Sequence, residues 1–292
     1  MSEQLTTRKR IRELEVMVAE TIKETHDTTT LVFFTGNDRL EYQPGHFCTI
    51  DPHIFPSLER FTAFLEDQKG KKEPPRAYSL TSAPHEKYLA ITVKEERYVS
   101  GQTKYPPLLS PLLVHRLQPG TRLMITGFTG PYVLPADIES RTNHLVHVCA
   151  GSGSVPNYSI LKHCLVEKPQ LKHTFIYSNK TWDDVIFLKQ LTELEKSHPD
   201  KVRVVHTLTR EPNLQDGPNV RAGRLTPAIL KDLIPAPTEV AVFCCGPGIT
   251  KYDKEVAKAK GEDPAPRFLE SALASLAAIG VPQSRIHRES YG

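Results

Sequence analysis

The chain has 292 residues, of which 24% are charged and 39% hydrophobic, and its net charge is +3. That composition excludes a disordered chain and leaves room for two ordinary domains, while so small a net charge gives no argument for nucleic acid. No apolar stretch approaches the length of a membrane-spanning helix.

The first predicted elements are strands. Leu14 to Ala19 alternates, Thr30 to Phe34 is β-branched and aromatic, and Tyr88 to Val93 repeats the pattern. Turn residues separate them at Thr35-Gly36-Asn37-Asp38, Gln43-Pro44-Gly45 and Gln118-Pro119-Gly120. Short strands, turns and little helix predict a small antiparallel β-barrel domain over residues 8–139. Beyond residues 136–141 the pattern changes. Strand candidates at Asn143 to Cys149, His173 to Tyr177, Val202 to Leu208 and Val240 to Cys245 alternate with helical stretches such as Asn157 to Glu167 and Val185 to Ser197. That alternation predicts a parallel sheet with helices on both faces over residues 140–292. The fold class is therefore β followed by α/β.

Two segments read as insertions. Pro56 to Pro75 carries Leu58, Phe61, Thr62 and Leu65 at helical spacing, and Lys251 to Pro266 precedes an apolar helix at Phe268 to Ala278. Either is a surface excursion or a partner-docking loop. The five cysteines, Cys48, Cys149, Cys164, Cys244 and Cys245, are odd in number and widely spaced. They argue against a disulfide framework. With no hydrophobic run at the N-terminus, a cytoplasmic protein is expected. The C-x4-C-x2-C spacing of a plant-type iron–sulfur cluster is absent, and no metal site is expected.

Three motifs carry chemistry. Arg76-Ala77-Tyr78-Ser79 is an extended segment in which Arg76 and Tyr78 point the same way, offering a cation and a flat ring together. Gly151-x-Gly153-x-x-Pro156 follows a strand and opens a helix, the context of a phosphate-cradling turn. Cys245-Gly246-Pro247 closes the fourth strand candidate of the second domain. Between the last two lie Thr209-Arg210-Glu211 and Gly223-Arg224.

In this order, and with Pro44-Gly45-His46-Phe47 upstream, these motifs resemble the ferredoxin–NADP⁺ reductase superfamily. The resemblance implies a flavin site followed by a nicotinamide site. Arg76 would bind phosphate, Tyr78 would pack on the flavin ring, and Ser79 would bond near flavin N5. Ile91-Thr92-Val93-Lys94 resembles the strand that lies along the cofactor, which assigns Thr92, Val93 and Lys94 to it. Ser110 resembles the helix start that faces the pyrophosphate. Pro107 stands there in place of a common glycine, which leaves FAD or FMN open, with FAD expected.

Gly151, Gly153, Pro156, Gly246 and Pro247 would cradle the coenzyme. Ser154-Val155 replaces the usual Ile-Thr. Thr209, Arg210 and Arg224 resemble the 2′-phosphate clamp of NADPH users, with NADH the alternative. Cys245 would lie near nicotinamide C4, and Glu289 and Tyr291 resemble the family's terminal acid and flavin-shielding aromatic, followed here by one extra residue, Gly292.

The activity implied is hydride transfer from NAD(P)H to FAD, then release of single electrons to a separate protein, a ferredoxin or an oxygenase component. The catalytic set is Ser79, Cys245, Glu289 and Tyr291. Two alternatives stay open: a free reductase for quinone, ferric or flavin acceptors, and a redox-idle module that senses nicotinamide nucleotide.

Overall fold

The computed structural model describes residues 12–36, 40–101 and 103–291. Residues 8–11 of the expected barrel, Asn37 and Asp38 of the expected turn, and Gly292 lie outside the described residues.

Six strands form the first sheet: β1 (Arg12–Thr25), β2 (Thr28–Phe34), β3 (Phe47–Ile50), β4 (Arg76–Ser79), β5 (Leu89–Lys94) and β6 (Arg122–Thr129). Their order is β4-β3-β6-β1-β2-β5, and every pairing is antiparallel. The sheet closes on itself just beyond β4, where Leu80 bridges Ile91 and the Thr81 amide donates to the Ala90 carbonyl at 2.7 Å. Closure removes the open edges of the sheet. Val16, Val18, Leu31, Phe33, Ile91 and Ile125 fill the interior.

The segment between β3 and β4 folds as helix α1 (Glu59–Lys69), stopped by Gly70 in the left-handed conformation at φ 63°. Short helix α2 (Ser110–His115) lays Leu113 and Val114 against the barrel core. One-turn helix α3 (Ile138–Arg141) leads into the second sheet.

That sheet is wholly parallel, in the order β10-β9-β8-β7-β11-β12. Its elements are β7 (His144–Ala150), α4 (Ser154–Glu167), β8 (Lys172–Asn179), α5 (Leu188–Ser197), β9 (Val202–Leu208), β10 (Val220–Ala222), α6 (Pro227–Leu233), β11 (Ala241–Pro247), α7 (Lys251–Lys260), α8 (Phe268–Ala278) and β12 (Ile286–Tyr291). β7 is buried almost throughout, as expected of a strand covered on both faces. α6 and α8 pack on one face and α4 and α5 on the other. α4 starts three residues before the helix read from the sequence, because Pro156 fits a first helical turn. α5 starts later than expected, since Phe187 sits at φ 61° and breaks the run from Val185.

The two sheets touch along a polar and apolar seam. Ser159 donates to the Ser82 carbonyl at 2.7 Å, and Lys162 pairs with Glu86 at 2.5 Å. Tyr132, 1% exposed, runs from the end of the barrel to Asn157 on α4, at 3.2 Å. Its carbonyl fills the space where a side chain on Gly45 would stand; a Cβ there would lie 2.0 Å from it.

Candidate active site

Strand order reverses between β7 and β11, and ligands of open α/β sheets bind at the carboxyl ends of strands at such a point. Those ends carry the turn at Gly151–Gly153 and the Gly246-Pro247 pair. Both glycines are sterically required there. A Cβ on Gly153 would fall 2.2 Å from the Cys245 carbonyl oxygen, and one on Gly246 would fall 2.5 Å from the Phe268 ring. Gly151 at φ 52° has open space around its absent side chain, as a turn that admits a ligand needs.

A cavity of about 790 Å³ lies between this edge and the barrel. Its barrel wall is made by Arg76, Tyr78, Ser79, Thr92, Val93 and Lys94, and its opposite wall by Ser152, Pro247, Glu289, Ser290 and Tyr291. The walls meet where Tyr291 Oη and Ser79 Oγ lie 2.5 Å apart. Residues 212 positions apart in sequence are thus brought to one point by β4 and β12. The parallel pairing of β11 with β12 sets Cys245 beside Glu289 and Pro247 beside Tyr291. Tyr291 packs on the cluster that contains Cys245, whose side chain is buried and lies behind the cavity wall. Burial pushes the Cys245 thiol well above its usual range, with Glu289 and neighbouring thiols adding to it.

Glu289 is the electrostatic exception of the site. Its Oε2 is buried without a hydrogen-bond partner, and burial pushes its carboxyl up to about 7. The barrel wall is opposite in character. Thr92 Oγ1 lies 2.7 Å from both Thr30 and Thr81 hydroxyls. Lys94 Nζ donates to Asp27 at 2.6 Å. Burial opposes ionisation of Asp27, but the Lys94 bond and charge and the Thr25 and Thr28 hydroxyls outweigh it and hold the carboxyl at about 2. Arg76 donates to Glu73 at 2.5 Å and to the Pro74 carbonyl at 2.6 Å.

Not every residue expected at the site faces this cavity. Ser110 lines a smaller adjoining cavity of about 120 Å³, and its hydroxyl accepts the Glu96 amide at 3.0 Å. Pro156 and Gly153 are buried at the start of α4. Thr209, Arg210 and Arg224 sit at the carboxyl ends of β9 and β10, away from the cavity and exposed. The Arg210 amide donates to the Lys180 carbonyl at 2.8 Å, which holds its backbone at the sheet edge, and the amide of Gly223, the residue before Arg224, donates to the Leu208 carbonyl at 2.8 Å. Neither arginine has an ion pair among the described residues.

Sequence reasoning missed Lys69, Tyr105, Tyr252 and Arg267, which all line the cavity. Lys69, Tyr105 and Tyr252 also line an adjoining cleft of about 400 Å³ between α1 and α7. The two inserted segments therefore converge on the site.

Residues 147–252 match the oxidoreductase NAD-binding domain family. The chain is 31% identical over 288 residues to the ferredoxin reductase component of 3-ketosteroid-9-alpha-monooxygenase from Mycobacterium tuberculosis (strain CDC 1551 / Oshkosh), covering 95% of this chain. The chain is thus similar to a ferredoxin reductase component over most of its own length, and to an NAD-binding oxidoreductase domain over part of it. Its fold recurs in solved structures. The flavohem-like FAD/NAD-binding domain of nitric oxide dioxygenase from Vibrio cholerae superposes with a TM-score of 0.70 at 21% identity, covering 96% of this chain and 100% of that one. The ferredoxin–NADP⁺ reductase from Plasmodium falciparum solved with 2′P-AMP gives 0.66 at 17% identity, covering 96% of each chain. The chain spans 65% of the length of the mycobacterial relative.

The groups that line the cavity fit the flavin that the motifs' resemblance implies. It offers a fixed guanidinium, a ring and a hydroxyl on one strand, and on the facing wall a carboxyl with an unpartnered oxygen. The donor set and the volume fit, since ligand sites of this kind run to roughly 300–1,000 Å³.

Proposed function

We propose that this chain is an NAD(P)H-dependent flavin reductase that passes electrons to a separate acceptor protein, a ferredoxin or an oxygenase component. The observation that carries the reading is the meeting of Ser79 and Tyr291 across one cavity, with Glu289 and Cys245 beside them. A flavin held there would accept two electrons as hydride and return them singly, chemistry that belongs to the cofactor.

The chain's part is to bind and orient. Arg76 supplies the charge for a phosphate, and Tyr78 supplies a flat face beside it. Ser79 holds a hydroxyl at the junction of the walls, and its bond to Tyr291 keeps that ring over Cys245. A coenzyme ring needs the place that Tyr291 fills, so Tyr291 swings aside when coenzyme binds. Glu289 is poised to hold or yield a proton near neutral pH.

FAD is favoured over FMN because the cavity continues into the cleft between α1 and α7, which gives a longer cofactor room. NADPH is favoured over NADH because Arg210 and Arg224 stand exposed and without ion partners among the described residues, free to meet a 2′-phosphate. All five cysteines are free and buried, which suits the reducing cytoplasm. Among the described residues no helix is long and apolar enough to cross a membrane.

The test is direct. The purified protein should be yellow and bleach with NADPH, and it should reduce a panel of ferredoxins, read out by cytochrome c. A colourless protein that binds NADPH without redox change would leave the nucleotide-sensing reading instead.

A further inference from the structure

Helix α1 and the loop after it carry more than surface chemistry. Glu73 is 2% exposed, and a carboxylate so buried needs charged partners. It has two, Lys69 Nζ at 2.5 Å from one oxygen and Arg76 Nη2 at 2.5 Å from the other. Burial alone would push this carboxyl up, but the two cations hold it below its usual range. The Glu73 amide donates to Glu66 at 2.8 Å, and His53 holds the same Glu66 oxygen at 2.9 Å. Lys69 Nζ also lies 4.7 Å from the centre of the Tyr105 ring. Lys69 and Arg76 both line the main cavity and the two cavities that adjoin it.

Two cations on one carboxylate leave a net positive charge, already fixed in place, at the cavity wall. We propose that Lys69 is a second cationic ligand for the diphosphate of the flavin cofactor, beside Arg76, and that Glu73 is the positioning residue for both. Arg76 is the point charge-and-fork contact, and Lys69 adds a compact ammonium that can reach a neighbouring phosphate oxygen. Ordering both side chains before the ligand arrives removes much of the entropy cost of binding. The insertion between β3 and β4 thereby belongs to the cofactor site. This inference rests on the flavin reading above.

The test is binding, not turnover. Dissociation constants for FAD and for riboflavin, which has no phosphate, are measured by quenching of flavin fluorescence on the flavin-stripped protein. Lys69→Met should weaken FAD binding about 10- to 100-fold, the worth of a charge-assisted bond, and leave riboflavin unchanged. Lys69→Arg should restore most of the loss. Glu73→Gln should weaken FAD to a similar degree, and circular dichroism checks that it folds; if it does not, the lysine variants decide. FAD binding unchanged in Lys69→Met but lost in Arg76→Ala overturns this inference and leaves the flavin reading standing. Equal losses for FAD and riboflavin also overturn it, since Lys69 would then act by packing on Tyr105. Parental FAD binding in Lys69→Met, Arg76→Ala and Tyr78→Ala alike overturns the flavin reading itself.

Discussion

The two phosphate sites proposed for this molecule are built in opposite ways. At the barrel, Arg76 is tied to a buried carboxylate and a carbonyl, and Lys69 to the same carboxylate. At the edge of the parallel sheet, Arg210 and Arg224 are exposed and have no ion pair among the described residues. A cation ordered in advance costs little entropy when its ligand binds, so it suits a group that stays. Exposed, unpaired arginines gain and release a ligand with less bias, which suits a cosubstrate that must leave after each turnover. On the proposed reading, retention belongs to the barrel and exchange to the parallel-sheet half, and each prediction below strikes one side of that contrast.

The largest effect is expected at the junction. Cys245 lies under Tyr291 and beside Glu289, so its replacement shifts the surface on which a nicotinamide ring would rest. A displacement of about 1 Å near reacting atoms can cost roughly 100-fold in rate. Cys245→Ala should slow flavin bleaching by NADPH to about that extent in stopped flow, with flavin content unchanged. Bleaching at the parental rate would remove Cys245 from the site.

Next comes the exchange side. Arg210→Ala or Arg224→Ala should raise KM for NADPH about 10- to 100-fold, as expected for loss of a charge-assisted bond, and leave NADH nearly unaffected. Steady-state kinetics with both coenzymes decide it, and equal losses would show that the pair reads no 2′-phosphate. Retention is probed at Tyr78. Tyr78→Ala should weaken flavin binding by roughly 1–3 kcal/mol, taking base–aromatic stacking as the guide, and should not alter KM for NADPH at full flavin loading. Full occupancy with an unchanged flavin spectrum would break the assignment of retention to the barrel wall.

The two sides were unequally legible in the sequence. Arg76-Ala77-Tyr78-Ser79 and the Gly151–Pro156 turn could be read because each imposes unusual residue types on a few consecutive positions. The order of strands and helices followed from apolar runs such as Leu145 to Cys149. β12 could not be read. Ile286-His287-Arg288-Glu289 lies at a sheet edge, where no apolar alternation is required, so its place beside β11 emerges only from pairing. The Lys69–Glu73–Arg76 cluster was equally hidden, because it forms only after Gly70 turns the chain back at the end of α1. The one trace of it in sequence is a lone acid, Glu73, among Lys69, Lys71, Lys72 and Arg76. Tyr105 lies in an irregular loop and carries no motif, although Lys69 stands over its ring.

The smallest effect concerns Glu289, and it separates the walls by pH. Its carboxyl titrates at about 7 in the folded chain against an ordinary 4.5, because burial disfavours the charged form. Between those two values the folded state holds a proton that the unfolded state has lost. Stability from this group is therefore fully present below about 4.5 and is lost as pH rises through about 7. Partial solvent contact reduces the term to on the order of 1 kcal/mol. Glu289→Gln removes the titration, so the variant should gain on the parent as pH rises. Urea unfolding of the coenzyme-free protein at pH 5 and pH 8 measures it. Asp27, held at about 2 by Lys94 on the barrel wall, stays ionised at both values and contributes no such slope. A constant difference between Glu289→Gln and parent across that range would show that the Glu289 carboxyl is ionised throughout, and the nucleotide wall would then hold a fixed charge as the barrel wall does.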